Sequence, residues 1–157
     1  MPTLDSYSSI RQMNSEQMAI SREHCQLLIE AYEVAYPREC CGFLLGTPGR
    51  RPSVKRVVTV LNAFSGLCAF AIPDFEVRRV KTMALKAGLS ITAMFHSHPG
   101  GSPGLSDDDS AALRYSEWPW LLFTMKSATR ELQFQWYQSV KRRTLSRRQR
   151  YEWKSER

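Results

Sequence analysis

The chain has 157 residues, of which 43% are hydrophobic, 24% charged and 11% aromatic, a length and balance that suit one folded domain with its own core and exclude wholesale disorder. No apolar run approaches the roughly 18 residues of a membrane span, and the opening stretch MPTLDSYSSIRQMNSEQMAI carries no hydrophobic signal segment, so a cytoplasmic setting without membrane contact is expected. The formal charge of +7 is concentrated in residues 141–157, which hold eight Lys or Arg against two Glu, whereas the other 140 residues carry 14 basic and 13 acidic groups, and so nearly neutral a body argues against a basic nucleic-acid-binding face.

Residues 1–17 mix Ser, Asn, Gln and Met without a period and read as a loosely held N-terminus, with a short strand expected at 18–20. Ser21 is placed to cap a helix running to about Ala35, whose apolar stripe is Leu27, Leu28, Ala31, Val34 and Ala35 and which Pro37 stops. His24 lies in its first turn, far in sequence from the other two histidines, and reads as a locally bonded side chain. Strands are expected at 41–45, closed by Gly46, Pro48 and Gly49, at 54–61, and at 67–72, closed by Pro73. Residues 74–88 return to a helical rhythm that presents Phe75, Val77, Val80, Met83, Ala84 and Leu85, and Gly88 ends it. A strand at 91–95 feeds into HSHPGGSPGLSDDDSAALR, in which 99–105 form a loop and Ser106 with three aspartates opens a short helix. Two further strands follow at 120–125 and 132–137. This order predicts an α+β fold, an α-β-α sandwich whose central antiparallel or mixed sheet is flanked by helices, and it lacks the steady βα repeat of a doubly wound sheet.

Cys25, Cys40, Cys41 and Cys68 include no CxxC pair, and the side chains of adjacent Cys40 and Cys41 would leave opposite faces of a strand, so packing in a reducing compartment explains them better than a thiolate zinc site. A cysteine nucleophile is disfavoured because Glu39 stands beside the pair and opposes a thiolate.

The chemistry is concentrated in one segment. His96 and His98 stand two apart at a strand end, so in extended backbone both imidazoles leave the same face and can converge on one ion. A third ligand can come from Asp109, eleven residues beyond His98, after a glycine-rich turn that lets the chain fold back. Spacing leaves Asp107 and Asp108 as rivals. Two imidazoles and a carboxylate leave a zinc coordination position open for water, as a catalyst requires and a closed structural site does not. A further acid is needed to move the proton from that water, and spacing does not choose it.

The segment HSHPGGSPGLSDDD resembles the JAMM (MPN-plus, JAB) zinc metalloprotease family, marked by an early glutamate, HxHP, seven residues counted from that proline, and SxxD. The earlier YPRECCGFLLG is similar to its prokaryotic members, and the likeness runs from about residue 18 to 139, with 140–157 a basic tail beyond it. It implies a JAMM/MPN-like single domain, zinc held by His96, His98 and Asp109, Glu39 as the base that takes a proton from the attacking water, and Ser106 as the hydroxyl that steadies the oxyanion, in competition with its role as a helix cap. It further implies hydrolysis of an amide or isopeptide bond after the C-terminal Gly-Gly of a ubiquitin-like protein such as a sulfur carrier, and it allows a homodimer.

Three alternatives remain at this level: removal of a ubiquitin-like modifier from a conjugated protein, a RadC-like repair-associated protein sharing HxHP and SxxD, and a nucleic-acid-binding module. The last would act through Lys141, Arg142, Arg143, Arg147, Arg148 and Arg150, with Tyr151 and Trp153 to stack on bases. Trp118, Trp120 and Trp136 read as core or rim aromatics, the first two near enough to the metal segment to border a substrate groove.

Overall fold

The computed structural model describes residues 10–13, 20–49, 53–126 and 128–140. Ser21, in an extended conformation, accepts a hydrogen bond from the His24 amide and opens helix α1 (Arg22–Ala35), as its type and position foretell. His24 is bonded locally, its Nδ1 2.9 Å from the Ser21 hydroxyl and its Nε2 3.2 Å from the Lys55 carbonyl. Of the expected stripe on α1, Leu28 and Ala31 are buried together with Tyr32, whereas Leu27 and Val34 stay exposed.

Strands β1 (Ile10–Met13), β2 (Cys41–Thr47), β3 (Ser53–Val60), β4 (Ser90–Ser97), β5 (Trp120–Lys126) and β6 (Glu131–Ser139) form one mixed sheet in the order β1-β6-β5-β4-β2-β3. Every pair is antiparallel except β4 and β5. A parallel pair needs a crossover, and here it is made by the loop after β4 and helix α3 (Asp107–Leu113). Helix α2 (Asp74–Lys86) links β3 to β4 and ends at Gly88, whose φ of 68° suits a residue without a side chain. Gly42 is required by close approach, since a Cβ there would lie 2.1 Å from the Val58 carbonyl oxygen and 2.6 Å from the Phe95 ring.

Side-chain alternation splits the core in two. Leu44, Ala93, Phe95 and Phe123 pack with α1 on one face, and Cys41, Phe43, Met94 and Trp120 pack with Val80 and Ala84 of α2 and Leu113 of α3 on the other. The fold is therefore α+β, a mixed sheet flanked by three helices. Among the described residues, no helix is long and apolar enough to cross a membrane.

Two expectations need correction. No strand forms at 67–72; residues 61–73 are a loop, because its polar backbone groups bond to the side chain of Asn62 instead of a ladder: Asn62 accepts from the amides of Phe64 and Ala71 and donates to the carbonyl of Ala69. Within the stretch read as loosely held, Ile10–Met13 pair with β6 as an edge strand; IRQM has no apolar period to announce it. Of the strand expected at 18–20, Ile20 is not in a strand and the other two residues lie outside the described residues, as do the basic residues 141–157.

Candidate metal centre

Period-two alternation places the site. Met94 faces α2 and α3, so His96 emerges on that face too, and Cys41 is paired with His96 across β2 and β4. His98, one residue past β4, is tied to β5 by its amide on the Phe123 carbonyl and by the Thr124 hydroxyl on its own carbonyl. Glu39 precedes β2 by two residues, and its backbone is held from both sides: Asn62 donates to its carbonyl, and the amide of the next residue, Cys40, donates to the Ser97 hydroxyl at 2.9 Å. Asp109 reaches the same point from the first turn of α3.

The four side chains are nearly sealed from solvent, with Glu39 at 5%, His96 at 0%, His98 at 8% and Asp109 at 6% exposure. One ligand atom each of Glu39, His96 and His98 falls within 4.8 Å of the other two. Asp109 Oδ2 lies 3.1 Å from His98 Nε2 and 3.2 Å from His96 Nε2, and Glu39 Oε1 lies 3.8 Å from His98 Nε2. Asp107 and Asp108 are exposed on α3.

A cation fits this arrangement on chemical grounds. His98 Nδ1 is 3.1 Å from the Ser102 carbonyl, which can only accept, so Nδ1 carries the proton and a neutral His98 turns a bare lone pair toward the Asp109 carboxylate. Two acceptors at 3.1 Å repel unless a proton or a metal ion stands between them. Among the described residues, His96 Nδ1 and Glu39 Oε2 are buried without a hydrogen-bond partner, while His96 Nε2 meets the Asp109 carboxylate; the unpartnered atoms cost free energy unless a ligand satisfies them.

The electrostatics agree. Burial pushes the Glu39 carboxyl up to about 7, with His98 opposing and Asp109 adding to the rise. Burial also lowers His96, keeping its imidazole neutral as a metal ligand requires. Against its own burial, Asp109 is held well below the usual carboxylate range by His96 and His98, and against its burial His98 is raised by Asp109 and Glu39.

Residues 21–138 match the family of prokaryotic homologues of the JAB domain. The chain belongs to that family. With the clustered glutamate and histidines, this makes the JAB-domain protein a zinc-dependent metallopeptidase of JAMM architecture. Its fold is shared with a protein from Desulfitobacterium hafniense, 20% identical over 74% of this chain and 82% of that one, with a TM-score of 0.65. A protein from Salinibacter ruber is 22% identical over 73% and 78%, with a TM-score of 0.54. No curated protein matches the sequence.

In this JAB-domain protein the cysteines beside Glu39 are unsuited to attack. Burial pushes the Cys40 thiol up to about 11 and the Cys41 thiol up to about 12. Ser106 caps α3 in a reciprocal box: its hydroxyl oxygen accepts from the Asp109 amide, and its own amide donates to Asp109 Oδ2. The cap uses a lone pair and leaves the hydroxyl proton free to donate, so capping and oxyanion stabilisation do not exclude one another. Trp120 meets the His96 ring edge-on at 5.4 Å, while Trp136 is core and Trp118 packs on Phe43. Sequence reasoning missed Asn62, Ser97 and Phe70, whose ring stacks on His96 at 4.5 Å. Only the asparagine carried a signal, a turn-forming residue just past a strand.

Proposed function

We propose that the protein hydrolyses the amide or isopeptide bond after the C-terminal Gly-Gly of a ubiquitin-like protein of the sulfur-carrier type, with zinc held by His96, His98 and Asp109. What carries the chemistry is the convergence of Glu39 with two imidazoles and a carboxylate whose facing acceptors need a cation between them. A zinc ion held by those residues would supply Lewis acidity toward the scissile carbonyl and a water. Glu39, raised by burial toward neutrality, takes the proton of the attacking water and returns it to the departing nitrogen. The Ser106 hydroxyl donates to the oxygen that gains charge.

The choice of a narrow, extended tail is supported by a groove of about 740 Å³ between α1 and β3. Exposed Leu27, Val34 and Leu61 line it, and it reaches Glu39. Strand β3 ends the sheet, and among the described residues no strand pairs with its outer edge, where His24 of α1 meets the Lys55 carbonyl alone, so the rest of that edge can take an added strand. Glycines next to the scissile bond let such a strand approach a sealed centre without side-chain collision. The nucleic-acid alternative rests on residues outside those described and has no further support.

The test is mass spectrometry of ubiquitin-like proteins from the same genome, each extended beyond Gly-Gly, after incubation with zinc-loaded protein and with Glu39→Ala. Cleavage after Gly-Gly that disappears in the variant is expected. Intact substrates with zinc demonstrably bound would overturn the carrier-processing reading.

A further inference from the structure

A histidine that ligates a metal is ordinarily oriented by a hydrogen bond from its other ring nitrogen. His98 follows that rule through Ser102, and His96 does not: its Nδ1 is fully buried and, among the described residues, has no partner. Its ring is instead held between two aromatics. Phe70 stacks on one face, 4.5 Å between centroids and 26° between planes, and Trp120 approaches edge-on at 5.4 Å and 81°. Phe70 and Trp120 also meet each other at 5.7 Å, so the three rings form a closed contact.

Trp120 has a firm base. It belongs to β5, is paired in register with Met94 of β4, and donates its indole N–H to the Ser116 hydroxyl at 2.9 Å. Phe70 lies in the loop 61–73 and needs another tether. Asn62 provides it by binding the residues on both sides: its amide donates to the Ala69 carbonyl at 3.1 Å, and its oxygen accepts from the Ala71 amide at 3.0 Å. The remaining donor and acceptor capacity goes to the Glu39 carbonyl at 3.0 Å and the Phe64 amide at 2.9 Å, so all four bonds open to the side chain are made. One amide therefore fixes the backbone of the acid and the backbone of the ring that covers the metal ligand.

We infer that Phe70 is the positioning residue of His96, replacing the missing hydrogen bond by ring stacking, and that Asn62 positions Phe70 and Glu39 together. This rests on the zinc-binding reading given above. The replacement has a functional consequence, because a stacked ring fixes the plane of the imidazole without drawing on its Nδ1 proton.

The experiment measures zinc affinity by competition with a chromophoric chelator, and the visible spectrum of the cobalt-loaded protein, for the parent, Phe70→Leu, Phe70→Met, Phe70→Tyr, Asn62→Ala and the double variant Asn62→Ala/Phe70→Leu. Circular dichroism of each metal-free form identifies those that keep the parent fold, and either folded ring-removing variant decides. Loss of the ring is expected to weaken zinc about tenfold, the lower end for an outer partner of a metal ligand, and to alter the cobalt bands. Phe70→Tyr should stay within about twofold of the parent. Asn62→Ala should reproduce the loss, and the double variant should be no worse than the single ones, because one acts through the other. A folded Phe70→Leu or Phe70→Met with parental affinity and cobalt spectrum overturns the role of the ring. Additive losses overturn the link through Asn62. A parent that binds no zinc overturns the zinc-binding reading along with this one.

Discussion

Glu39 stands at the end of α1's connecting turn, where two carboxyls and two imidazoles share one dry volume, and its behaviour differs from that of its neighbours because of which charges face it. Asp109 faces two imidazoles and accepts the Ser106 amide, which hold its carboxyl low, whereas Glu39 has one imidazole at 3.8 Å and an oxygen with no partner among the described residues. In the metal-free protein the folded state therefore holds the Glu39 proton more tightly than the unfolded chain does, about 7 against an ordinary 4.5. Its contribution to stability is complete below about pH 4.5 and is lost as pH rises through 7, the opposite sense to Asp109, whose depressed carboxyl favours folding above its ordinary value. Urea denaturation of metal-free parent and Glu39→Gln across pH 4.5 to 8 checks this. The variant should gain on the parent steadily up to about pH 7 and hold a constant advantage above it; a constant difference over the whole range would place the Glu39 titration elsewhere.

At the scale of elements, α3 is seven residues long and depends on its Ser106 cap, and the proposed mechanism asks the same hydroxyl to serve the reaction with its proton. Ser106→Ala removes both and should cost about 1 kcal/mol of stability, while Ser106→Gly removes the hydroxyl but costs only ~0.3 kcal/mol, since glycine is tolerated at an N-cap. If the hydroxyl donates to the oxyanion, both variants should lose turnover on the order of 100-fold despite their unequal stabilities. Loss in Ser106→Ala alone would assign the serine to capping only. The same helix shows what a sequence makes legible. Cap chemistry and periodicity announced α1, α2 and α3 and the strands β2 to β6, and the HxHP and SxxD spacing pointed to the residues that now converge. Segment 67–72 misled because an apolar run before a proline looks like a strand when the side chain that satisfies its backbone, Asn62, is not recognised as a hub. Phe70 was invisible for the same reason, since a ring against an imidazole is a fact of tertiary packing with no spacing of its own. Strand β1 owes its pairing to β6, and four residues without alternation cannot declare a distant partner.

Across the whole molecule the sheet is asymmetric in use. Its centre, β2, β4 and β5, is buried on both faces and bears the candidate metal site at one end, and among the described residues no strand pairs with its β3 edge beside α1. Leu27 and Val34 belong to the apolar pattern of α1 and yet do not enter the core; Val34 is 88% exposed and Leu61, at the end of β3, is 73% exposed. Apolar groups left outside in one groove that reaches Glu39 have a purpose if they meet the body of the substrate's tail. Because they carry no core packing, polar replacements at both positions should leave folding, zinc content and the chemical step untouched. Val34→Gln combined with Leu61→Ser is expected to raise KM for a Gly-Gly-extended ubiquitin-like protein about tenfold with kcat unchanged, the signature of lost binding shared equally by substrate and transition state. A short peptide that ends shortly before the groove's outer residues should show no change between parent and variant. An unchanged KM for the full protein would mean that its tail does not lie between α1 and β3, and would move the search to the cleft on the far side of α1, where Tyr32, Tyr36 and Met125 face the Pro99–Gly101 turn.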